Sequence, residues 1–153
     1  MASVDYYCEY VYGFFIMEWT MINKYINDID LNFGATQDVI CATENDLRKI
    51  LPDDYKEFIK EHNGGEGYVG ELSYINLWKI EELADLNESY EVTEYTPDFV
   101  YFGSDGGDMA YAMDFSEEKV RYIEFPFMSL HEEEKEILGD SFEEMLMTLY
   151  NRR

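Results

Sequence analysis

Two aspartates bracket a pair of glycines in YFGSDGGDMAYAMDF, residues 101–115. Asp105, Gly106, Gly107 and Asp108 are the residue types that cradle a phosphate, ligate a cation or turn one strand into the next. A dinucleotide fingerprint needs G-x-G-x-x-G between a strand and a helix. Here Gly103, Gly106 and Gly107 have another spacing, and a strand-like run follows them. The Gly-Lys-Ser/Thr ending of a P-loop is missing from the sequence, and a phosphate would meet two charges of its own sign. A calcium loop wants oxygen ligands at alternate positions and a distal glutamate, whereas these aspartates stand three apart. The stretch reads best as a strand-to-strand turn with an acidic tip. Gly106-Gly107 is expected to supply positive φ, and the aspartates to bond to the backbone.

Covalent catalysis finds little footing. The only histidines are His62 and His131, and the only cysteines Cys8 and Cys41. His62 lies at a helix end, where the dipole favours a cation. His131 opens the acidic run HEEEKE. Cys41 sits in a helix beside Ile40 and is expected in the core. Nothing in the spacing recommends a Cys–His pair. With 34 acidic residues, some carboxylate pair always appears, so pairing logic does not discriminate. The reading is of a non-enzyme with no catalytic, cofactor or metal residues.

These residues need elements to position them. Apolar residues from Trp19 to Ile29 fall at helical spacing. Asn32 to Thr36 breaks that helix, and Thr36 caps a second running to about Lys49, with Ile40, Leu47 and Ile50 inward. Leu51-Pro52 stops it. In LPDDYKEFIKEHNGG, Pro52 suits the first turn of a third helix, whose buried face is Tyr55, Phe58 and Ile59. Asp53 and Asp54 favour its positive end, and Asn63-Gly64-Gly65 supplies a left-handed stop. EGYVGELSYINLW has strand composition, and KIEELADL is a short helix. FVYFG, MAYAMDF and KVRYIEF follow in close order, as in an antiparallel meander. Ser141 and Glu144 fit a capping box for a last helix, with Arg152 and Arg153 at its C-terminus. The expected fold is α+β, one compact domain with a mostly antiparallel sheet and helices packed around it. Within it, 1–33 reads as an aromatic leader and first helix, and 34–153 as the main body. In the leader, Tyr6, Cys8, Tyr10 and Tyr12 alternate as on an extra edge strand, though Met17 and Met21 are alternative starts.

Composition narrows the partners. The formal net charge is −23, which repels nucleic acid and anionic membranes and attracts cationic partners. Residues 64–115 carry twelve acids against the single base Lys79, so the strongest field is expected there. No apolar run approaches the roughly 20 residues of a membrane span, and no Lys or Arg precedes Lys24 as a secretory signal would want. Two cysteines make no disulfide framework, so a reducing cytoplasm is the expected home.

Two stretches carry a resemblance. LPDDYKEFIKEHNGG, at Leu51, Pro52, Tyr55, Phe58, Asn63, Gly64 and Gly65, resembles the opening signature of the SUKH superfamily, which includes the Smi/Knr cell-wall regulators. YFGSDGGDMAYAMDF is similar to that family's second signature at Phe102, Gly103, Asp105, Gly106, Gly107, Tyr111 and Asp114. Glu44, Trp78, Ser141-Phe142 and Leu146 fall in the expected order, and the likeness spans roughly 34–150. The leader 1–19 has no counterpart, and Arg48-Lys49-Ile50 lacks a glycine often found there. The resemblance implies an α+β fold without shared catalytic residues. In bacteria it implies an immunity protein that binds and neutralises a toxin domain, often a nuclease; in eukaryotes, a regulatory interaction module. Nucleases are commonly basic because their substrate is a polyanion, and a chain charged −23 could imitate that polyanion. The expected partner is a basic, nuclease-like protein toxin domain, with no nucleic acid and no membrane. The expected partner-binding residues are Tyr68, Trp78, Tyr101, Asp105 and Asp108, chosen from the acidic middle and the signature turn, although burial at a sheet–helix seam is the first reading of Trp78 and a binding anchor its alternative.

Overall fold

The computed structural model describes residues 22–153; the leader 1–19, with its proposed edge strand, lies outside the described residues. The described chain forms one seven-stranded antiparallel sheet in sequence order. Its strands are β1 (Ile29–Leu31), β2 (Gly65–Val69), β3 (Ser73–Leu77), β4 (Phe99–Ser104), β5 (Met109–Asp114), β6 (Arg121–Pro126) and β7 (Glu136–Gly139). The helices are α1 (22–26), α2 (Gln37–Leu47), α3 (Asp53–Glu61), α4 (Leu83–Ser89), α5 (Val92–Tyr95) and α6 (Phe142–Tyr150). The α+β class and the antiparallel meander are as expected; β7 and α5 were not foreseen.

Every position of β4 is buried, because both of its faces are covered. On one face, Tyr55 and Phe58 of α3 and Phe142 of α6 pack around Phe102 and Tyr122, the Tyr55 and Phe102 rings meeting edge-on at 5.4 Å. On the opposite face, Phe99 and Tyr101 pack with Phe125 and Phe127. Tyr101 and Phe102, adjacent in the strand, point to opposite faces and so pack on both sides of the sheet, with a bulge between Tyr101 and Gly103. Ile22, Tyr25, Ile26 and Ile29 belong to the same core, and Tyr25 meets Tyr150 of α6 edge-on.

Several local expectations change. The first helix ends at 26, and Ile29 opens β1 instead of closing a helix. Thr36 does cap α2, its hydroxyl accepting from Val39 N at 3.3 Å. That helix stops at Leu47, earlier than Leu51-Pro52, because Arg48 adopts the left-handed conformation at φ 54°. The reversal turns Ile50 outward and leaves Leu51 buried, so Ile50 does not line the core. Pro52 occupies the cap of α3, one position before its first turn. His62, which ends α3, is extended; Gly64 is left-handed two residues later, where a Cβ would lie 2.3 Å from Leu77 O. Cys41 is half-buried and is not a free thiol, which removes the cysteine argument for a reducing compartment. Ser141 caps α6, but the Glu144 carboxylate reaches Asp140 N, one residue before the cap. Arg152 reaches across to Glu124 on β6, at 2.5 Å, instead of serving the end of its own helix.

Candidate partner-binding site

The β4–β5 turn is built by one aspartate. Asp105 Oδ1 accepts from Gly107 N at 2.8 Å and from Met109 N at 3.1 Å, while Asp105 N donates to Met109 O. Of the two glycines only Gly106 needs its freedom, with φ 82°. Asp108 is left exposed at the tip. The turn is thus a fixed acidic point, held by bonds that the side-chain types announced.

Beside it lies an open sheet face. Ser73, Ile75 and Leu77 of β3 are buried, so Tyr74 and Asn76 point the other way. Tyr74 pairs with Tyr68 across β2–β3, the rings meeting edge-on at 5.3 Å. Tyr74 OH donates to Glu66 Oε2 at 2.7 Å, and this bond to the carboxylate pushes its phenol pKa up. Tyr111 OH, raised by burial and then by Glu124, donates to Tyr74 O. A Cβ at Gly106 would lie 3.1 Å from the Tyr74 ring, so the turn rests against this tyrosine.

On its other flank the turn meets an aromatic stack. Asp108 O accepts from Phe127 N at 2.9 Å. Phe127 stacks on Tyr90 at 4.5 Å, and Trp78 runs parallel to Tyr90 at 6.1 Å. Of the five residues singled out in the sequence, Asp105 and Asp108 form the turn, Tyr68 connects to it through Tyr74, and Trp78 and Tyr101 connect to it through Phe127, with unequal access. Tyr68 is 52% exposed and Asp108 exposed, whereas Trp78 is 9% and Tyr101 3% exposed. Trp78 and Tyr101 support Phe127 and Tyr90 from beneath.

Sequence reasoning missed Tyr74, Phe127 and half-exposed Tyr90, together with Met128, which is 91% exposed. Their pairing across strands is a product of register, and a lone exposed methionine carries no pattern. Among the described residues, no group of three or more His, Cys, Asp or Glu side chains is disposed to hold a metal ion. Nor is any described helix long and apolar enough to cross a membrane.

Both signature stretches acquire structural reasons. Asn63 Oδ1 accepts from Ile80 N at 2.8 Å and its Nδ2 donates to Glu81, tying the end of α3 to the connection after β3. Glu44, fully buried, accepts from Leu51 N at 2.8 Å and from Lys56 Nζ at 3.3 Å. No curated protein matches the chain. Residues 34–148 match the SMI1/KNR4 family (SUKH-1), and with that match spanning most of the sequence, the chain belongs to the SMI1/KNR4 family.

Proposed function

We propose that this protein is an immunity protein that acts in the cytoplasm by binding alone, neutralising a basic, nuclease-like toxin domain. The observation that carries the reading is the prearranged acidic turn at Asp105–Asp108 set against exposed Tyr68 and its half-buried partner Tyr74. One fixed carboxylate, Asp105, and one exposed carboxylate, Asp108, next to an exposed tyrosine suit a cationic partner, since charge steers encounter and aromatic anchors hold the complex. Membership of the SMI1/KNR4 family and the net charge of −23 support the same reading. Tyr68, Asp105 and Asp108 are the proposed contacts, with Trp78 and Tyr101 bracing the platform.

A regulatory module with several partners is the second reading. A separate groove of about 610 Å³ between α2 and α4–α5 favours it, because it offers acidic surface away from the turn. Affinity capture from the native cell's lysate, at low and moderate salt, separates the two. One basic partner held at equal stoichiometry through moderate salt, whose toxic activity this protein abolishes, is the expected result. Several salt-sensitive partners and no protection would move the assignment to the regulatory module.

A further inference from the structure

The face carrying Tyr68 and Tyr74 continues into a shallow cleft of about 220 Å³. Asp30, Glu66 and Glu82 line it with Asn76, Trp78 and one base, Lys79. None of the three carboxylates forms an ion pair among the described residues. Glu66 is nonetheless fixed, because Tyr74 OH holds one of its oxygens. Directly after Asn32 at the rim stands Phe33, 98% exposed. Leaving a phenylalanine in water forgoes the stabilisation its burial would bring. Its backbone is held, since Phe33 O accepts from Asn63 N at 3.0 Å. A fixed, fully exposed phenylalanine beside unpaired carboxylates and a tyrosine pair is the arrangement of an anchor without its partner.

We infer that this cleft receives an arginine side chain from a protein partner, with Phe33 and Tyr68 packing on the segment that carries it. The inference rests on the reading that this face docks a protein. Charge selects the occupant, because a second copy of the chain or a nucleic acid would bring further negative charge to a protein already at −23. Chemistry selects arginine over lysine. A guanidinium is planar, gives forked hydrogen bonds to carboxylates, stacks on aromatic faces and sheds water more easily than an ammonium.

The test is a titration of the whole protein with acetylated, amidated hexaarginine, and separately with hexalysine, followed by amide NMR at near-physiological salt. Hexaarginine is expected to saturate one site and to shift the amides of Asp30, Glu66 and Asn76. Glu66→Gln and Tyr68→Ala are each expected to weaken it by about fivefold or more. The double variant Glu88→Gln/Glu94→Gln, in the separate groove, is expected to weaken it by less than about twofold. Phe33→Ala, at a side chain that contributes nothing to the core, keeps the test decisive should Glu66→Gln disturb the sheet. Equal affinity for hexalysine, or a larger loss from the groove variant, would overturn the inference in favour of diffuse charge attraction. Hexaarginine bound here with no toxin neutralised would retire the immunity reading and keep the site. A toxin neutralised equally well by the Phe33→Ala and Glu66→Gln proteins would do the reverse.

Discussion

Asn87 and Tyr101 exchange two hydrogen bonds across a gap in the sheet. Asn87 Nδ2 donates to Tyr101 O at 2.9 Å, and Tyr101 N donates to Asn87 Oδ1 at 2.8 Å. Strand β4 pairs with β3 only at Gly103 and Ser104, so the Tyr101 backbone has no strand partner on that side. The amide of a helix residue takes the place of the missing strand. Replacing it, Asn87→Ala, leaves two buried backbone groups unsatisfied and should cost about 2–4 kcal/mol. Urea unfolding would measure the loss; a change below about 0.5 kcal/mol would mean that water replaces the amide.

Arg48 points the other way. It occupies a left-handed position, φ 54°, a conformation that glycine adopts without strain. An L-residue with a long side chain is strained there, so Arg48→Gly should stabilise the protein by about 0.5–1 kcal/mol, net of the freedom glycine adds to the unfolded chain. Thermal unfolding should register a higher midpoint.

Asp54 joins three elements. It accepts from its own neighbour Tyr55 N, from Tyr122 OH at 2.7 Å and from Phe142 N at 2.7 Å, at the start of α6. Asp54→Ala removes a cap for a second helix along with a tyrosine's partner, and about 2–3 kcal/mol of stability should go with it. Asp54→Asn should recover only part of this, because the amide nitrogen cannot accept what Asp54 accepts.

Acid should weaken the fold through Asp114. Burial raises its carboxyl, but hydrogen bonds from Lys135 and Ser116 outweigh this and hold it below its ordinary 3.8. A lowered carboxyl contributes stability above its unfolded value and loses it as pH falls through the folded one. Unfolding midpoints should therefore drop below about pH 4, and Asp114→Asn should flatten that limb. Glu44 acts with opposite sign, since burial raises it; its contribution falls as pH rises from the unfolded value through the folded one.

The binding residues should separate by kinetics. Tyr68→Ala should leave stability nearly unchanged and speed dissociation from the partner, as loss of an anchor does. Asp108→Asn should slow association and reduce its salt dependence. Trp78→Ala should cost about 3–5 kcal/mol of stability, because a braced core position is emptied. Surface plasmon resonance at two salt concentrations, with unfolding in parallel, distinguishes the three. A Trp78→Ala protein of full stability but weak binding would mark Trp78 as a direct contact.

Much of this was legible from local chemistry. Thr36 and Ser141 announce their helices because a hydroxyl before an apolar period satisfies free N–H groups. Asp105 and Gly106 announce their turn because few residues serve a tight reversal. Alternating aromatics announce β4 to β6. Ile50 was misplaced because apolar periodicity runs on through Arg48, where the backbone reverses. β7 and α5 went unseen because EILG and VTEY are too short to hold a period.

The sequence by itself determined the class of fold, the family signatures and the sign of the protein's own charge, since composition, spacing and turn chemistry are properties of the chain before it folds. Tertiary structure alone decided which aromatics face water. Tyr68 and Tyr101 are the same residue type in similar strand contexts, yet one is half in solvent and the other sealed. Burial is set by what packs on each sheet face, and that depends on contacts distant in sequence.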